Sequence, residues 1–305
     1  MTKRLVGVGH VALDHVFNVA RLPTEANKTP ASHYRVQVGG MTANAMVAVA
    51  RLGCRAQLFA PVGDDACAAV FESTLHRERV DTRGLLRVAG ASSSVSSVVV
   101  DAQGERMIVN HRGSALHQAP ALAAHALADA DMLLTDPRCP NWASEALQRA
   151  RATGMPSVLD ADAAPQADLQ LLVGLADWVV FSEAGLAAFA GTPQAQDSAL
   201  LLALQAGAKV AVLTRGARGM SWLQQGQAVQ HLPAFEVGQV VDTTAAGDVF
   251  HGALACARAE GAADIEALRF AAAAAALKCL RGPGVQGAPS RPEVQQLLQR
   301  TATPG

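Results

Sequence analysis

VVDTTAAGDVFHGALACARA, at residues 240–259, carries the strongest structural signal in the chain. Apolar residues at 237–241 are typical of a β-strand, and the alanine-rich spacing after Asp248 is typical of a helix. A turn of small residues, 242–247, separates the two. Backbone N–H groups at the start of a helix lack partners within the helix and attract anions. The segment therefore predicts a strand, an anion-holding turn and a helix.

Asp248 lies in the first turn of this predicted helix, where its negative charge would oppose a bound anion. One interpretation is a helix cap, because a carboxylate at a helix N-terminus interacts favourably with the helix dipole. The other is catalysis, in which Asp248 accepts the proton of a hydroxyl that attacks a phosphoryl group while neighbouring amides hold the transferred charge. For an isolated aspartate at a helix start, the cap is the better interpretation.

The composition is that of a globular protein without a polyanionic partner. The 305 residues have a formal net charge of −1, so neither nucleic acid nor an anionic membrane is expected as a partner. Five cysteines without a CxxC pair argue against disulfides or structural zinc and for a reducing, cytoplasmic location. His10 and Asp14 interrupt the N-terminal apolar run too early for a signal peptide.

Short apolar runs alternate with longer alanine- and leucine-rich segments over most of the chain. This alternation predicts an α/β fold, with a doubly wound, mostly parallel sheet flanked by helices. The strands are predicted at residues 5–8, 57–61, 132–135, 157–159, 178–181 and 210–214. The helices are predicted at residues 42–52, 66–79, 141–152, 197–206 and 248–260. In such sheets, ligands bind beyond the carboxyl ends of the strands.

Two segments, 15–38 and 92–112, interrupt this alternation with short strands and turn signals typical of antiparallel pairs. We expect them to pair into one small sheet that covers the strand ends as a lid. The chain is then divided into an α/β domain, residues 1–14, 39–91 and 113–305, and a β-sheet lid made of the two segments.

The hexapeptide GVGHVA at residues 7–12 fits the GxGxxA fingerprint of dinucleotide-binding folds. That fingerprint requires a helix to open at the glycines, whereas a β-like segment containing Pro23 and Pro30 follows here. A nicotinamide-dependent oxidoreductase is therefore the weakest alternative. We interpret the glycines as close packing at a strand end, with Asp14 in the space above it.

A second glycine pair, Gly39-Gly40, precedes a predicted helix that ends at Arg-Leu-Gly, residues 51–53. Glycines allow a ligand to approach the backbone, and Asn44 on the first helical turn offers both a donor and an acceptor. A plain capped turn between strand and helix is an equally good interpretation of this motif alone.

Three motifs, in this order and spacing, resemble those of the ribokinase-like (PfkB-type) sugar kinases. They are Gly-Gly-x-x-x-Asn leading to Ala-Arg-Leu-Gly (39–53), Thr-Arg-Gly-Ala-Arg-Gly (214–219) and the more specific Asp-Thr-x-x-Ala-Gly-Asp (242–248). The resemblance extends from about residue 5 to residue 289. Within the family, the chain is most similar to sulfofructose kinases and next to ketohexokinase-like kinases. Local matches lie at residues 22–25, 104–106, 181–183, 248–252 and 276–279.

The resemblance implies a ribokinase-like fold and transfer of the γ-phosphoryl group of ATP, with Mg²⁺, to a sugar hydroxyl. It makes Asp248 the general base and the amides of Ala245, Ala246 and Gly247 the anion hole. The residues it assigns to the sugar hydroxyls are Asp14, Gly39, Gly40 and Asn44. The residues it assigns to the nucleotide are Thr214, Gly216, Gly219, Ala276 and Gly284. Lids of this family often pair between subunits, which implies a homodimer.

The chain departs from the family at the metal site. The usual Asn-x-x-Glu segment after the strand at 178–181 is here Ser-Glu-Ala-Gly, so Mg²⁺ must be organised differently or through water. Glu183 is a candidate ligand, with an ordinary surface glutamate as the alternative. Asp160 and Asp162, just past another strand end, are further candidates that would support the metal ion indirectly, with an ordinary solvated loop as the alternative.

The resemblance also implies a monovalent-cation site for K⁺, built mostly from backbone carbonyls near Asp242, Thr244 and the loop 282–287. A second departure lies in the same turn, where the family most often has Gly instead of Ala245. Because a Cβ makes a positive φ costly, by roughly 1 kcal/mol or more, we predict a negative φ at Ala245.

Three polar residues together favour an anionic sugar: Lys28 in the first lid segment, Asn110 at the end of the second, and Arg138 after the strand at 132–135. Taken singly, Lys28 is equally well a solvated lid residue, Asn110 a strand end and Arg138 part of an ion pair. A guanidinium suits the oxygen pair of a sulfonate or phosphate, and these positions agree with those that sulfofructose kinases use. We therefore expect a ketose, most closely 6-deoxy-6-sulfofructose converted to its 1-phosphate.

Other acceptors stay open. Asn44 restores the general sugar-kinase pattern, which keeps fructose, ribose, ketodeoxygluconate and nucleosides of the adenosine type as alternatives. The lost Asn-x-x-Glu segment suggests a further alternative, a non-catalytic sugar- or nucleotide-sensing protein on the same fold.

Overall fold

The computed structural model describes residues 2–191 and 196–302 and contains two β-sheets. The strands are β1 Arg4–Val8, β2 Ala12–Asn18, β3 His33–Gly39, β4 Arg55–Gly63, β5 Val80–Val88, β6 Ser94–Val100, β7 Arg106–His111, β8 Met132–Thr135, β9 Ser157–Ala161, β10 Trp178–Phe181, β11 Val210–Thr214, β12 Met220–Gln224 and β13 Gln230–Leu232. The helices are α1 Met41–Arg51, α2 Ala66–Arg77, α3 Pro140–Thr153, α4 Gln166–Val173, α5 Glu183–Ala190, α6 Gln196–Ala206, α7 Ala246–Ala259, α8 Asp264–Cys279 and α9 Arg291–Ala302.

The large sheet has the order β13-β12-β11-β10-β9-β8-β1-β4-β5. Its strands from β11 to β5 pair in parallel, and β12 and β13 add an antiparallel edge. The inner strands are buried on both faces because helices cover both sides, which explains their continuous apolar runs. One hydrophobic core includes residues of α1, α7 and α8, and a second includes residues of α3, α4 and α6. The predicted doubly wound fold is confirmed.

One predicted strand is wrong. Residues 237–241 form no strand, and Val240 and Val241 are exposed. The amides of Val241 and Asp242 both donate to the carbonyl oxygen of Cys279, at 2.8 and 3.2 Å. The segment runs beside the end of α8 instead of joining a sheet. Its tertiary hydrogen bonds therefore outweigh the local β propensity of its residues.

The small sheet unites the two irregular segments in the order β3-β2-β6-β7. The pairs β2–β3 and β6–β7 are antiparallel, as predicted, whereas β2 and β6 pair in parallel and join the two segments. The sheet begins at Ala12, and its strand β3 ends at Gly39. Asp14 thus lies within the small sheet, although the proposed division assigned it to the α/β domain.

Helices α1 and α7 cross closely because one of them has a glycine at the contact. A Cβ on Gly252 would lie 2.4 Å from the carbonyl oxygen of Ala45, so a larger residue would force the helices apart. This approach brings together the first turns of the two helices, which carry Asn44 and Asp248.

All five cysteines are free thiols. Among residues 2–191 and 196–302, no helix has both the length and the apolar character needed to cross a bilayer.

Candidate active site

A cavity of about 420 Å³ lies between the carboxyl ends of the central strands and the small sheet. We call it the cleft. The predicted site residues that line it are Asp14, Gly40, Asn44, Asn110, Arg138 and Asp248. Segments far apart in the sequence therefore converge there, as expected for a sheet whose ligands bind at strand ends.

The small sheet contributes one row of polar side chains to the cleft. Asp14, Ser96 and Asn110 are register partners on β2, β6 and β7, so their side chains share one face of the sheet. Asn110 donates to the Ser96 hydroxyl at 3.1 Å, which links two of the three. Burial raises the pKa of Asp14, and a hydrogen bond with Ser96 partly offsets this. Asp14 and Asn110 were predicted, whereas Ser96 was missed because a serine among serines carries no sequence signal.

Glycines at the β3–α1 junction are required by close contacts. A Cβ on Gly39 would lie 2.1 Å from Oδ2 of Asp14. Gly40 has a φ of 100°, and its Cβ would lie 2.6 Å from the His10 carbonyl oxygen. The two glycines are therefore needed so that the junction can pack closely against Asp14 and His10.

Asn44 holds the carboxylate of Asp248. Its Nδ2 donates to Oδ2 of Asp248 at 2.7 Å, across the contact between α1 and α7. An amide donor at this distance orients the carboxylate and favours its ionised form.

Burial, followed by the nearby charge of Asp160, raises the pKa of Asp248, which lies at about 8. The hydrogen bond from Asn44 and the neighbouring His251 act in the opposite direction. A carboxyl group with such a pKa can accept a proton near neutral pH, whereas an exposed helix cap would be fully ionised. This electrostatic environment favours a catalytic role over a cap.

His251 and Asp160 form a buried pair near Asp248. Nδ1 of His251 lies 3.2 Å from Oδ2 of Asp160, and both side chains are almost fully buried. Burial raises the pKa of Asp160, and it lowers the pKa of His251. Because burial disfavours charge on both groups, the pair resists ionisation. Of the two aspartates proposed near the metal, Asp160 therefore contacts a histidine, whereas Asp162 lines the cleft.

The prediction of a negative φ at Ala245 is wrong. Ala245 has a φ of 63° and a ψ of 12°, in the left-handed region, and it precedes the first residue of α7. Its carbonyl accepts from the amide of Val249 at 2.9 Å, and the amide of Ala246 donates to Thr243 at 3.2 Å. Because α7 begins directly after Ala245, the chain changes direction at this one residue. The left-handed conformation that results costs an alanine roughly 1 kcal/mol.

The residues assigned to the nucleotide lie outside the cleft. The Thr214 hydroxyl donates to the Phe181 carbonyl at 3.1 Å, which joins the ends of β11 and β10. Gly216 and Gly219 have positive φ values in the tight turn between β11 and β12. Ala276 lies in α8, and the Gly284 amide donates to Oδ2 of Asp242 at 2.7 Å. Their role at a nucleotide stays a prediction.

Neither Glu183 nor any cluster of described residues provides a metal cage. Oε2 of Glu183 lies 2.6 Å from Nη2 of Arg218, and its Oε1 accepts from Gln196 at 3.2 Å. Within the described parts of the chain, no three or more His, Cys, Asp or Glu side chains are grouped so as to hold a metal ion. The residues therefore do not fit a protein-held Mg²⁺, whose ligands would instead come chiefly from phosphates and water.

Two further predictions have different outcomes. Lys28 is exposed in the loop between β2 and β3 and does not line the cleft. Asp242 and Thr244 do adjoin each other, because Oδ1 of Asp242 accepts from the Thr244 amide at 2.8 Å. The sequence also failed to indicate His10, Met41 and Arg112, which line the cleft.

Comparison with known proteins agrees with this geometry. The pfkB family carbohydrate kinase profile matches residues 2–291. Ribokinase of Bacillus subtilis is 30% identical over 95% of this chain and 98% of its own. A candidate ribokinase from Agrobacterium tumefaciens superposes with a TM-score of 0.93 at 34% identity, covering 100% of both chains. Arabidopsis thaliana ribokinase complexed with ribose and ATP gives a TM-score of 0.87 at 25% identity, covering 98% of this chain and 99% of its own.

The chain therefore belongs to the pfkB family of carbohydrate kinases, as its motifs predicted. It is an ATP-dependent sugar kinase.

We predict that kcat/KM for the sugar, measured at saturating ATP, rises with pH through an apparent pKa of about 8, because only ionised Asp248 can accept a proton. Asn44→Leu removes the hydrogen bond that lowers this pKa, so the rise should move to higher pH. Asp197→Asn, an exposed change on α6, is the control and should leave the profile in place. A profile that is flat between pH 6 and 9 would contradict the assignment.

Proposed function

We propose that this kinase phosphorylates a ketose that carries an anionic group, most closely 6-deoxy-6-sulfofructose at its 1-hydroxyl. The observation that carries the proposal is the polarity of the cleft. The proton-accepting Asp248, held by Asn44, lies in the same cavity as Arg112 and Arg138, whose guanidinium groups suit an oxyanion.

The chemical step follows from the position of Asp248. Its carboxylate takes the proton of the acceptor hydroxyl, and the hydroxyl oxygen forms a bond to the γ-phosphorus of ATP. The bond to the bridging oxygen breaks, and ADP leaves with those electrons. The amides of Ala245 and Gly247 would hold the negative charge on the transferred group, and Mg²⁺ bound to the phosphates would screen it, whereas the amide of Ala246 donates to the Thr243 carbonyl.

The positive side of the cleft continues into an adjoining cavity of about 240 Å³. The two cavities share His10, Arg112 and Arg138, and among the residues that the structure describes, no aspartate or glutamate lines the second. Nη2 of Arg138 lies 3.8 Å from Oδ2 of Asp162, too far for a strong charge-assisted hydrogen bond. The guanidinium groups are therefore available to an anionic substituent. With Lys28 outside the cleft, Arg112 takes the part that the sequence assigned to Lys28.

A neutral sugar is the second candidate acceptor. It is supported by the row of Asp14, Ser96 and Asn110, whose oxygens and amide suit sugar hydroxyls, and by the similarity to a ribokinase solved with ribose and ATP. Fructose, ribose, ketodeoxygluconate and nucleosides therefore belong in any test. The hydrogen bond between Asn44 and Asp248 argues against a purely sensing protein, because a sensor has no use for an oriented base.

A coupled ATP-consumption assay against sulfofructose, fructose, fructose phosphates, ribose, nucleosides and ketodeoxygluconate tests the proposed function. We expect sulfofructose to give the highest kcat/KM. Asp248→Asn should lower kcat by the roughly 10²–10⁴-fold that general-base catalysis supplies, whereas Asp197→Asn should not. Near-normal turnover in Asp248→Asn would overturn the mechanism.

The acceptor's charge can be tested separately by Arg138→Ala. Loss of a guanidinium that binds an oxyanion should reduce kcat/KM for sulfofructose by roughly 10-fold or more, with a much smaller effect on fructose. Arg300→Ala, an exposed change at the end of α9, is the matched control. An equal reduction for both sugars would show that Arg138 supports the fold of the cleft and does not bind the anionic group of the substrate.

We further propose that a second copy of this chain covers the outer face of the small sheet. Tyr34, Val36, Met107 and Val109 lie on the face opposite Asp14 by strand register, and they are 38–68% exposed. Apolar side chains in such a row mark an interface. Sedimentation velocity should show a dimer that Val109→Lys dissociates, and a wild-type monomer at micromolar concentration would contradict this arrangement.

A further inference from the structure

Lys278 is a fully buried lysine in the last turn of α8. Its Nζ donates to the backbone carbonyl oxygen of Asp242 at 2.6 Å and lies 3.3 Å from Oδ2 of the same residue. A buried ammonium group is tolerated only when it is paired, and here one residue supplies both oxygens.

Asp242 begins the turn that leads to the proposed anion hole, and its carboxylate is fully used. Oδ1 accepts from the amide of Thr244 at 2.8 Å, and Oδ2 accepts from the amide of Gly284 at 2.7 Å. Although burial raises the pKa of Asp242, these hydrogen bonds and the charge of Lys278 hold it at about 2. The turn, the end of α8 and the loop 282–287 therefore meet around one ionised carboxylate and one ammonium group.

The family resemblance implies a monovalent cation at this place, bound by backbone carbonyls near Asp242, Thr244 and the loop 282–287. The residues of this chain do not fit that arrangement. The Asp242 carbonyl oxygen, which would be one ligand of the ion, already accepts from Nζ of Lys278. A second cation beside the buried ammonium of Lys278 would be repelled, because charges in a buried site are screened far less than charges at the surface.

We propose that Lys278 is a built-in cation that takes the place of K⁺ behind the phosphoryl-holding turn. Its charge orients the Asp242 carbonyl and carboxylate, and these fix the start of the turn that ends at Asp248. The inference rests on the proposed function for the role of the turn. It goes beyond that function because it makes both stability and catalysis independent of monovalent cations.

The first experiment compares the wild-type protein in KCl with the protein in N-methylglucamine chloride at the same ionic strength. Because Lys278 supplies the positive charge, both the melting temperature and kcat should be the same in the two salts. A wild-type protein that is stabilised and activated by K⁺ would overturn the inference. The melting temperature is measured without substrate. It therefore tests the role of Lys278 even if the protein phosphorylates none of the sugars in the panel.

The second experiment tests whether a protein without the Lys278 ammonium group requires an added cation. Lys278→Ala leaves a space beside Asp242, so in N-methylglucamine the variant should melt at a lower temperature and lose roughly 10²-fold in kcat, the range for losing a group that stabilises an oxyanion. Addition of KCl or methylammonium chloride should restore both. Lys278→Met fills the same space without charge, so neither cation should rescue it.

Lys209→Ala removes a lysine that is largely exposed beside Asp177 and is the matched control, with no expected response to K⁺. If Lys278→Ala keeps wild-type activity and stability in N-methylglucamine, the ammonium group is not needed at the turn. If Lys278→Ala is impaired and neither K⁺ nor methylammonium restores it, the lysine acts through packing of its chain, and the inference fails.

Discussion

The carboxylate of Asp136, fully buried at the carboxyl end of β8, is the constraint on which the cleft depends. Its Oδ2 accepts from the amide of His10 at 2.8 Å and from the Thr42 hydroxyl at 2.5 Å, and its Oδ1 accepts from the amide of Arg138 at 2.8 Å. A buried carboxylate without these donors would cost several kcal/mol. The loop after β1, the start of α1 and the loop after β8 are therefore locked to one another.

From this anchor, α1 carries Asn44 to meet α7, and the two helices approach because Gly252 has no side chain. Behind α7, the pair of Lys278 and Asp242 holds the turn from the other side. The left-handed conformation of Ala245 is tolerated because the structure determines both ends of the turn. The strain at Ala245 is offset by the contacts of Asn44 with Asp248 and of Lys278 with Asp242. These contacts fix the residue at which α7 begins.

Charge is distributed unevenly over the cleft. Asp248, Asp160 and Asp162 lie together, and burial with mutual repulsion raises the pKa of Asp248 towards neutrality. Arg138 and Arg112 lie in the same cavity. Burial lowers the pKa of His10, the charge of Asp136 opposes this, and the two arginines lower it further. A sugar with a hydroxyl to be deprotonated and an anion at its other end would match this distribution. The same field raises the pKa of a carboxylate at a helix N-terminus, as the proposed role of Asp248 as the base requires.

The sequence by itself determined the doubly wound sheet and the small second sheet, because hydrophobic period and turn signals place the strands and helices. The resemblance of its motifs to sugar kinases predicted that Asp14, Asn44, Arg138 and Asp248 meet at one site. It could not determine contacts between segments far apart in the chain. Lys28 was expected in the cleft and lies outside it, in the loop between β2 and β3, whereas Arg112, just after β7, lines it. Ser96 faces the cleft because the register of β2, β6 and β7 places it beside Asp14 and Asn110. The strand predicted at 237–241 gave way to hydrogen bonds with Cys279, and Lys278 met Asp242 across 36 positions of sequence. Those outcomes belong to the tertiary structure, where burial decides which polar groups must find partners.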